Sequence, residues 1–101
     1  MPETERNSSR YIVKVSGELF SNKEDDISFS RYDAVAKQII EIVKNTGIQL
    51  AMVVGGGNIF RGREKSEYVD SNEADSMGMM ATIINGMALR EAFIRNGTKD
   101  T

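Results

Sequence analysis

The sequence predicts an α/β fold built on parallel strands, and three segments carry that reading. Residues 11–15 (YIVKV) form a short β-branched and aromatic run, residues 31–46 repeat apolar side chains at helical spacing, and residues 50–54 (LAMVV) form a second apolar run. Strand, helix and strand in that order make a βαβ unit with parallel strands and a right-handed crossover. A chain of 101 residues supplies one small domain with a thin core. Its 40% hydrophobic and 28% charged residues are ordinary for a soluble globular protein.

Each element has its own local signals. Residues 1–10 (MPETERNSSR) are polar, read as a disordered leader, and lack the apolar stretch of a signal peptide. The folded part is expected over residues 11–101. Apolar residues in the first strand do not alternate cleanly, which predicts burial on both faces, and Ser16-Gly17-Glu18 ends it. Residues 21–28 are a polar loop. Ser30 followed by Asp33 resembles a capping box, with Asp in place of Glu. Tyr32, Val35, Ala36, Ile39, Ile40 and Val43 then mark one helix face, and Gly47 sits where a C-terminal glycine belongs. Residues 61–76 are mostly polar and read as a loop with room for a short helix. A second long helix is expected from Ser76 to about Asn96, with Asp75 as its N-cap. Its first part, MGMMATIINGMAL, is apolar nearly all round and holds four of the six methionines. Such a helix must be covered on several sides. Either it joins copies of the chain, or residues beyond Thr101 cover it. The methionines read as packing, not as a cofactor box.

Composition removes several function classes. The formal net charge is −2, with no basic surplus to make nucleic acid the main partner. There is no cysteine for a disulfide or thiolate metal site, and no histidine for a zinc site or a Ser-His triad. Lys, Arg, Asp, Ser and backbone N–H groups remain, a palette suited to phosphate. No run approaches the roughly 18 apolar residues of a membrane span. A cytosolic location follows by default.

The most informative segment is Gly55-Gly56-Gly57-Asn58, directly after the second strand. Three glycines allow close approach to a ligand and positive φ, and successive N–H groups in such a turn can cradle an anion. Ligands of α/β sheets gather at the carboxyl ends of strands, where this turn sits. A plain flexible turn explains the triplet equally well. GGGNIFRG lacks the Gly-Lys-Ser/Thr ending of a Walker loop and, with Phe60 where a third glycine belongs, also fails G-x-G-x-x-G. Arg61 offers a bidentate cation for phosphate oxygens, or is a solvated surface arginine. Lys14 lies within an apolar strand, which is costly unless its ammonium ends in a polar site or reaches water. On neighbouring strands, Lys14 and Ser16 approach the glycine turn at one sheet edge. There a lysine would balance charge in phosphoryl transfer. Asp75 could accept hydrogen bonds from ribose hydroxyls as well as cap its helix.

Three blocks together resemble one family closely. They are Lys14-Val15-Ser16-Gly17-Glu18, then residues 53–62 (VVGGGNIFRG), then residues 75–82 (DSMGMMAT) with Asn85 and Leu89. Their order and spacing are similar to bacterial-type uridylate (UMP) kinases of the amino-acid-kinase fold, over roughly residues 10–101. Acetylglutamate kinases, aspartokinases and carbamate kinases share the fold and the glycines but not this pair of later blocks. The resemblance implies a three-layer α/β/α sandwich with a mainly parallel sheet, of which this chain is the N-terminal part. It implies transfer of the γ-phosphoryl group of Mg-ATP to UMP. By position, Lys14, Val15, Ser16 and Gly17 would meet the ATP phosphates, with Lys14 and Arg61 catalytic. Gly57 and Arg61 would serve the ATP side, and Gly56 and Asp75 would serve UMP. Mg2+ would come with ATP. Hexamers built from dimers through helix 77–95 and responses to GTP and UTP are also implied, with no nucleic-acid or membrane partner.

Two departures stand out. Ser76 replaces the aromatic or histidine common after the aspartate. Members of the family are also more than twice as long, so the chain is expected to hold half of each pocket and to show no measurable UMP phosphorylation alone. Alternatives are another kinase of this fold acting on a carboxylate or carbamate, a non-catalytic nucleotide- or phosphate-binding module that pairs with an intact subunit, or a bare fragment with no role of its own.

Overall fold

The computed structural model describes residues 9–60 and 67–98. Strand β1 (Arg10–Val15) leads into a 3-10 turn (Gly17–Phe20), helix α1 (Phe29–Thr46), strand β2 (Gln49–Val54) and helix α2 (Ser71–Arg95). The two strands pair in parallel, from Arg10 opposite Gln49 to Val15 opposite Val54. The expected βαβ unit is therefore present. Its first strand begins inside the predicted leader, whose first eight residues lie outside the described ones.

Helix α1 starts earlier than its sequence signals imply. Ser28, not Ser30, occupies the N-cap, and its side chain makes no cap hydrogen bond. The Ser28 hydroxyl is held by Asn22 Nδ2 at 3.2 Å and lies 3.1 Å from Ser30 Oγ. Asp33 does not close a capping box because α2 claims it. Its carboxylate accepts from Asn96 Nδ2 at 2.8 Å and Arg95 Nη2 at 2.9 Å, and pairs with Lys37 Nζ at 3.1 Å. The other end is as predicted. Gly47 is left-handed (φ 73°), and its N–H closes on the Val43 carbonyl.

The core lies on one side of the sheet. Val15, Phe20, Tyr32, Val35, Ala36, Leu89, Ala92 and Phe93 form it, joined by Val13, Met52 and Val54 from the strands. Phe20 stacks on Tyr32 with ring centroids 4.6 Å apart. The expectation that the strands are buried on both faces is not met among the described residues. Burial along β2 alternates, and the opposite face leaves Ile12 77% and Val53 52% exposed. The apolar run asks for two covers, and the described residues supply one helical layer. Two layers of the predicted sandwich are thus present.

Helix α2 also starts before its predicted cap. Asp70 is the N-cap, its carboxylate accepting from the Asn72 N–H at 3.1 Å, so Asp75 sits inside the helix. Glu73 in the first turn suits the positive end of the helix dipole, and a polar, exposed first turn needs no packing partner. Further along, Ala81, Asn85, Leu89, Ala92 and Phe93 are the buried stripe. The remaining apolar surface is bare. Met77, Met79, Met80, Ile83, Ile84 and Met87 are between 42% and 64% exposed. No helix among the described residues is long and apolar enough to cross a membrane.

The Asp33 cluster ties the start of α1 to the end of α2. Hydrogen bonds from Asn96 and Arg95, then Lys37, lower its pKa from 3.8 to about 2. A carboxylate with a depressed folded-state pKa contributes stability above its unfolded value that is lost as pH falls through the folded one. Urea denaturation between pH 5 and pH 2 should therefore show wild-type stability falling across the window from 3.8 towards about 2. Asp33→Asn should be less stable at pH 5 and flatter across that window.

Candidate functional site

The carboxyl ends of β1 and β2 meet where the sequence places its chemistry. The ladder runs one step past β2, with the Gly55 N–H donating to the Val15 carbonyl at 2.9 Å. Ser16 then turns the chain. Its hydroxyl accepts from the Glu18 N–H at 3.2 Å and so caps the 3-10 turn. Gly17, buried, lies directly against the glycine turn. A Cβ at Gly17 would stand 2.7 Å from Asn58 Oδ1, 2.9 Å from the Gly57 nitrogen and 3.0 Å from the Gly55 oxygen. The two segments fit because Gly17 carries no side chain there.

Within the triplet, close approach requires glycine at Gly56 alone, and unusual backbone requires it nowhere. Among the described residues only Gly47 and Gly97 have positive φ, so the expected positive φ at the triplet is not found. Gly56 presses on α2, where an added Cβ would lie 2.7 Å from Ala81 Cβ and 2.9 Å from the Thr82 nitrogen. Its carbonyl accepts from both the Ile59 and the Phe60 N–H at 3.0 Å, closing one tight turn. Gly57 differs, since a Cβ there meets nothing within 4 Å. The turn is thus packed on two sides at Gly17 and Gly56 and open at Gly57.

Beneath the turn is a buried polar network. Asn85, fully buried in α2, donates from Nδ2 to the Gly55 carbonyl at 2.8 Å and to Asn58 Oδ1 at 2.7 Å. Its Oδ1 accepts from the Tyr32 hydroxyl at 2.5 Å. Asn58 Nδ2 donates to the Asp26 carbonyl at 2.9 Å, tying in the loop before α1. No buried side-chain nitrogen or oxygen among the described residues lacks a partner. Burial pushes the Tyr32 phenol above its ordinary pKa, outweighing a hydrogen bond with the Asn58 amide that acts the other way, so it stays protonated and donating at neutral pH. The periodicity read Tyr32 as an apolar position and missed this role. Asn85 carried a usable signal: an amide in the middle of an apolar helix is buried only with partners.

The other predicted residues divide as follows. Lys14 stands opposite Val53, on the bare face of the sheet, and is exposed. Val15 is buried in the core. Asp75 is exposed on α2 and lies seven residues before Thr82, hence on the same side of the helix as the Gly56 contact and about two turns away. Arg61 lies outside the described residues. The structure therefore brings Ser16, Gly17, Gly56 and Gly57 together. A separate apolar groove of about 980 Å3, lined by Ile40, Val43, Leu50, Met52, Leu89 and Phe93, includes none of them.

Comparison with known proteins gives the family of the chain. The signature of the amino acid kinase family matches residues 9–100. The chain belongs to the amino acid kinase family. Uridylate kinases are among its relatives. It is 43% identical over 91 residues to the uridylate kinase of Mycoplasmopsis pulmonis, covering 87% of this chain and 37% of that protein. It is 46% identical over 92 residues to the uridylate kinase of Rhodopseudomonas palustris, covering 89% and 38%. The crystal structure of UMP kinase from Ureaplasma parvum superposes with a TM-score of 0.80 at 40% identity, covering 91% of this chain and 40% of that one. UMP kinase from Bacillus anthracis gives 0.78 at 36% identity, covering 89% and 37%. This amino acid kinase chain thus spans about two fifths of the length of the relatives it matches. Its sheet and one helical layer are an α/β part of the family fold.

Proposed function

We propose that this chain is the phosphate-binding half of a UMP kinase, whose whole protein transfers the γ-phosphoryl group of ATP to UMP. The observation that carries the reading is the Gly17–Gly57 junction. Two parallel strand ends are packed backbone to backbone, with Gly57 open beyond them. The similarity to uridylate kinases supports the choice of acceptor.

In this reading a UMP phosphate oxygen attacks the γ-phosphorus, the bond to the bridging oxygen breaks, and ADP leaves. Little covalent chemistry falls to the protein, so positioning and charge carry catalysis. Lys14, Val15, Ser16, Gly17, Gly57 and Arg61 meet the ATP phosphates, with Lys14 and Arg61 offsetting charge on the transferred group. Gly56 and Asp75 contact UMP. The described residues hold no group of three or more Asp, Glu, His or Cys able to bind a metal ion. Mg2+ would come with ATP and offset charge on its phosphates. The bare apolar side of α2 packs on a second copy, as a step towards a larger assembly open to GTP and UTP. The setting is the cytoplasm and the supply of pyrimidine nucleotides.

Titration of the 15N-labelled chain with ATP tests this. The Gly55, Gly56 and Gly57 amide signals should shift saturably, by more than those of α1. Stationary glycine signals up to millimolar ATP would sink the reading, and turnover of UMP by the 101-residue chain would overturn its being only half of the pocket.

A further inference from the structure

The buried network under the glycine turn does more than satisfy polar atoms. A peptide unit is planar and trans, so its C=O and the following N–H point in opposite directions. Asn85 Nδ2 holds the Gly55 carbonyl at 2.8 Å. That bond turns the Gly56 N–H away from Asn85. The orientation depends on which way round the Asn85 amide sits. Nδ2 must face the Gly55 carbonyl and Asn58 Oδ1, which requires Oδ1 to face a donor. The Tyr32 hydroxyl is that donor, at 2.5 Å. Asn58 Nδ2, which gives one hydrogen to the Asp26 carbonyl at 2.9 Å, is a second and longer donor to Asn85 Oδ1 at 3.4 Å, so the Tyr32 hydroxyl is the short bond that fixes the amide. Tyr32 itself has little freedom. Its ring is stacked on Phe20 and only 1% of the residue is exposed.

We propose that Tyr32 is a positioning residue for the anion site: its hydroxyl locks the Asn85 amide, which aims the Gly55–Gly56 peptide at the ligand. The proposal rests on the phosphate-binding reading above. It predicts an effect through a relay of two hydrogen bonds, with no contact between Tyr32 and ligand.

Tyr32→Phe removes the hydroxyl and leaves the ring stack, so the fold is retained. Two measurements on the full chain decide. Without ligand, the Gly56 amide signal should move and its hydrogen exchange should quicken, while amides in the last two turns of α1 stay as in wild type. With ATP, the variant should bind about three- to tenfold more weakly, the size expected for losing one neutral hydrogen bond. Unchanged Gly56 signals and the same ATP affinity in variant and wild type would overturn the positioning role and leave the phosphate reading standing. A wild-type chain whose glycine amides ignore ATP would sink the phosphate reading, and this proposal with it. Phe20→Leu, which loosens the stack but keeps the Tyr32 hydroxyl, should preserve the Gly56 signal. Loss of that signal there would show that packing, not the hydroxyl, sets the turn.

Discussion

Asn85→Ala should destabilise the chain by about 3–5 kcal/mol. One buried amide serves three neighbours: the Gly55 carbonyl, Asn58 Oδ1 and the Tyr32 hydroxyl. Truncation leaves all three without that partner in a site where Asn85 is fully buried. Each orphaned buried group costs about 1–3 kcal/mol, and coupled losses do not add in full. A loss of that size rivals the whole stability of a small domain, on the order of 5–15 kcal/mol. Urea denaturation followed by far-UV circular dichroism measures it. A loss below about 1 kcal/mol would mean that the three groups find other partners, and the network would not be what holds the turn to α2.

Gly17→Ala should come next, and it should damage site and fold together. The new methyl would meet Asn58 Oδ1 at 2.7 Å and two backbone atoms, the Gly57 nitrogen and Gly55 oxygen, at 2.9 and 3.0 Å. A flexible side-chain tip can move aside; a backbone held by a strand ladder and a buried amide cannot without moving the turn. Overpacking of this kind costs about 1–3 kcal/mol. The displacement should also weaken ATP binding at least tenfold. Gly57→Ala is the matched comparison. Its methyl meets nothing within 4 Å, and its φ is not positive. Its stability should hold or rise by about 0.4–1 kcal/mol through the unfolded chain, while ATP binding falls because the methyl enters the ligand's space. Thermal melts and ATP titrations of the two variants separate crowding within the protein from crowding of the ligand. Equal melting temperatures for Gly17→Ala and wild type would contradict the packing described.

The βαβ unit and the strand-end junction were legible because they rest on local pattern: apolar runs, helical spacing, Gly47 after the last turn and a glycine triplet after a strand. Helix starts were not. Ser28 and Ser30 compete at one end, Asp70 and Asp75 at another, and the winner depends on tertiary claims. Asn22 holds Ser28, and α2 takes Asp33. The triplet was singled out for close approach to a ligand and for positive φ, whereas the structure shows Gly56 packed against α2 and no positive φ there. Positive φ and close approach both demand glycine, and the letters alone do not tell them apart. Tyr32 was invisible as a polar residue, since its partner Asn85 is 53 positions away. A hydroxyl on an apolar helix face looks like any other core contact until the fold delivers its acceptor. The two-sided burial expected of the strands reads from Ile12 and Val53, whose bare face is apolar yet uncovered among the described residues.

The account depends on Lys14 and the turn beyond Gly55, whose own N–H is held by the Val15 carbonyl, acting on the same anion, although Lys14 stands on the open sheet face and the turn packs against α2. The ATP titration answers this when the Lys14 Nζ signal is followed beside the Gly55, Gly56 and Gly57 amides. One shared dissociation constant, with all four signals moving together, is the predicted result. Glycine amides that saturate while Lys14 stays still, or that follow a different constant, would contradict it.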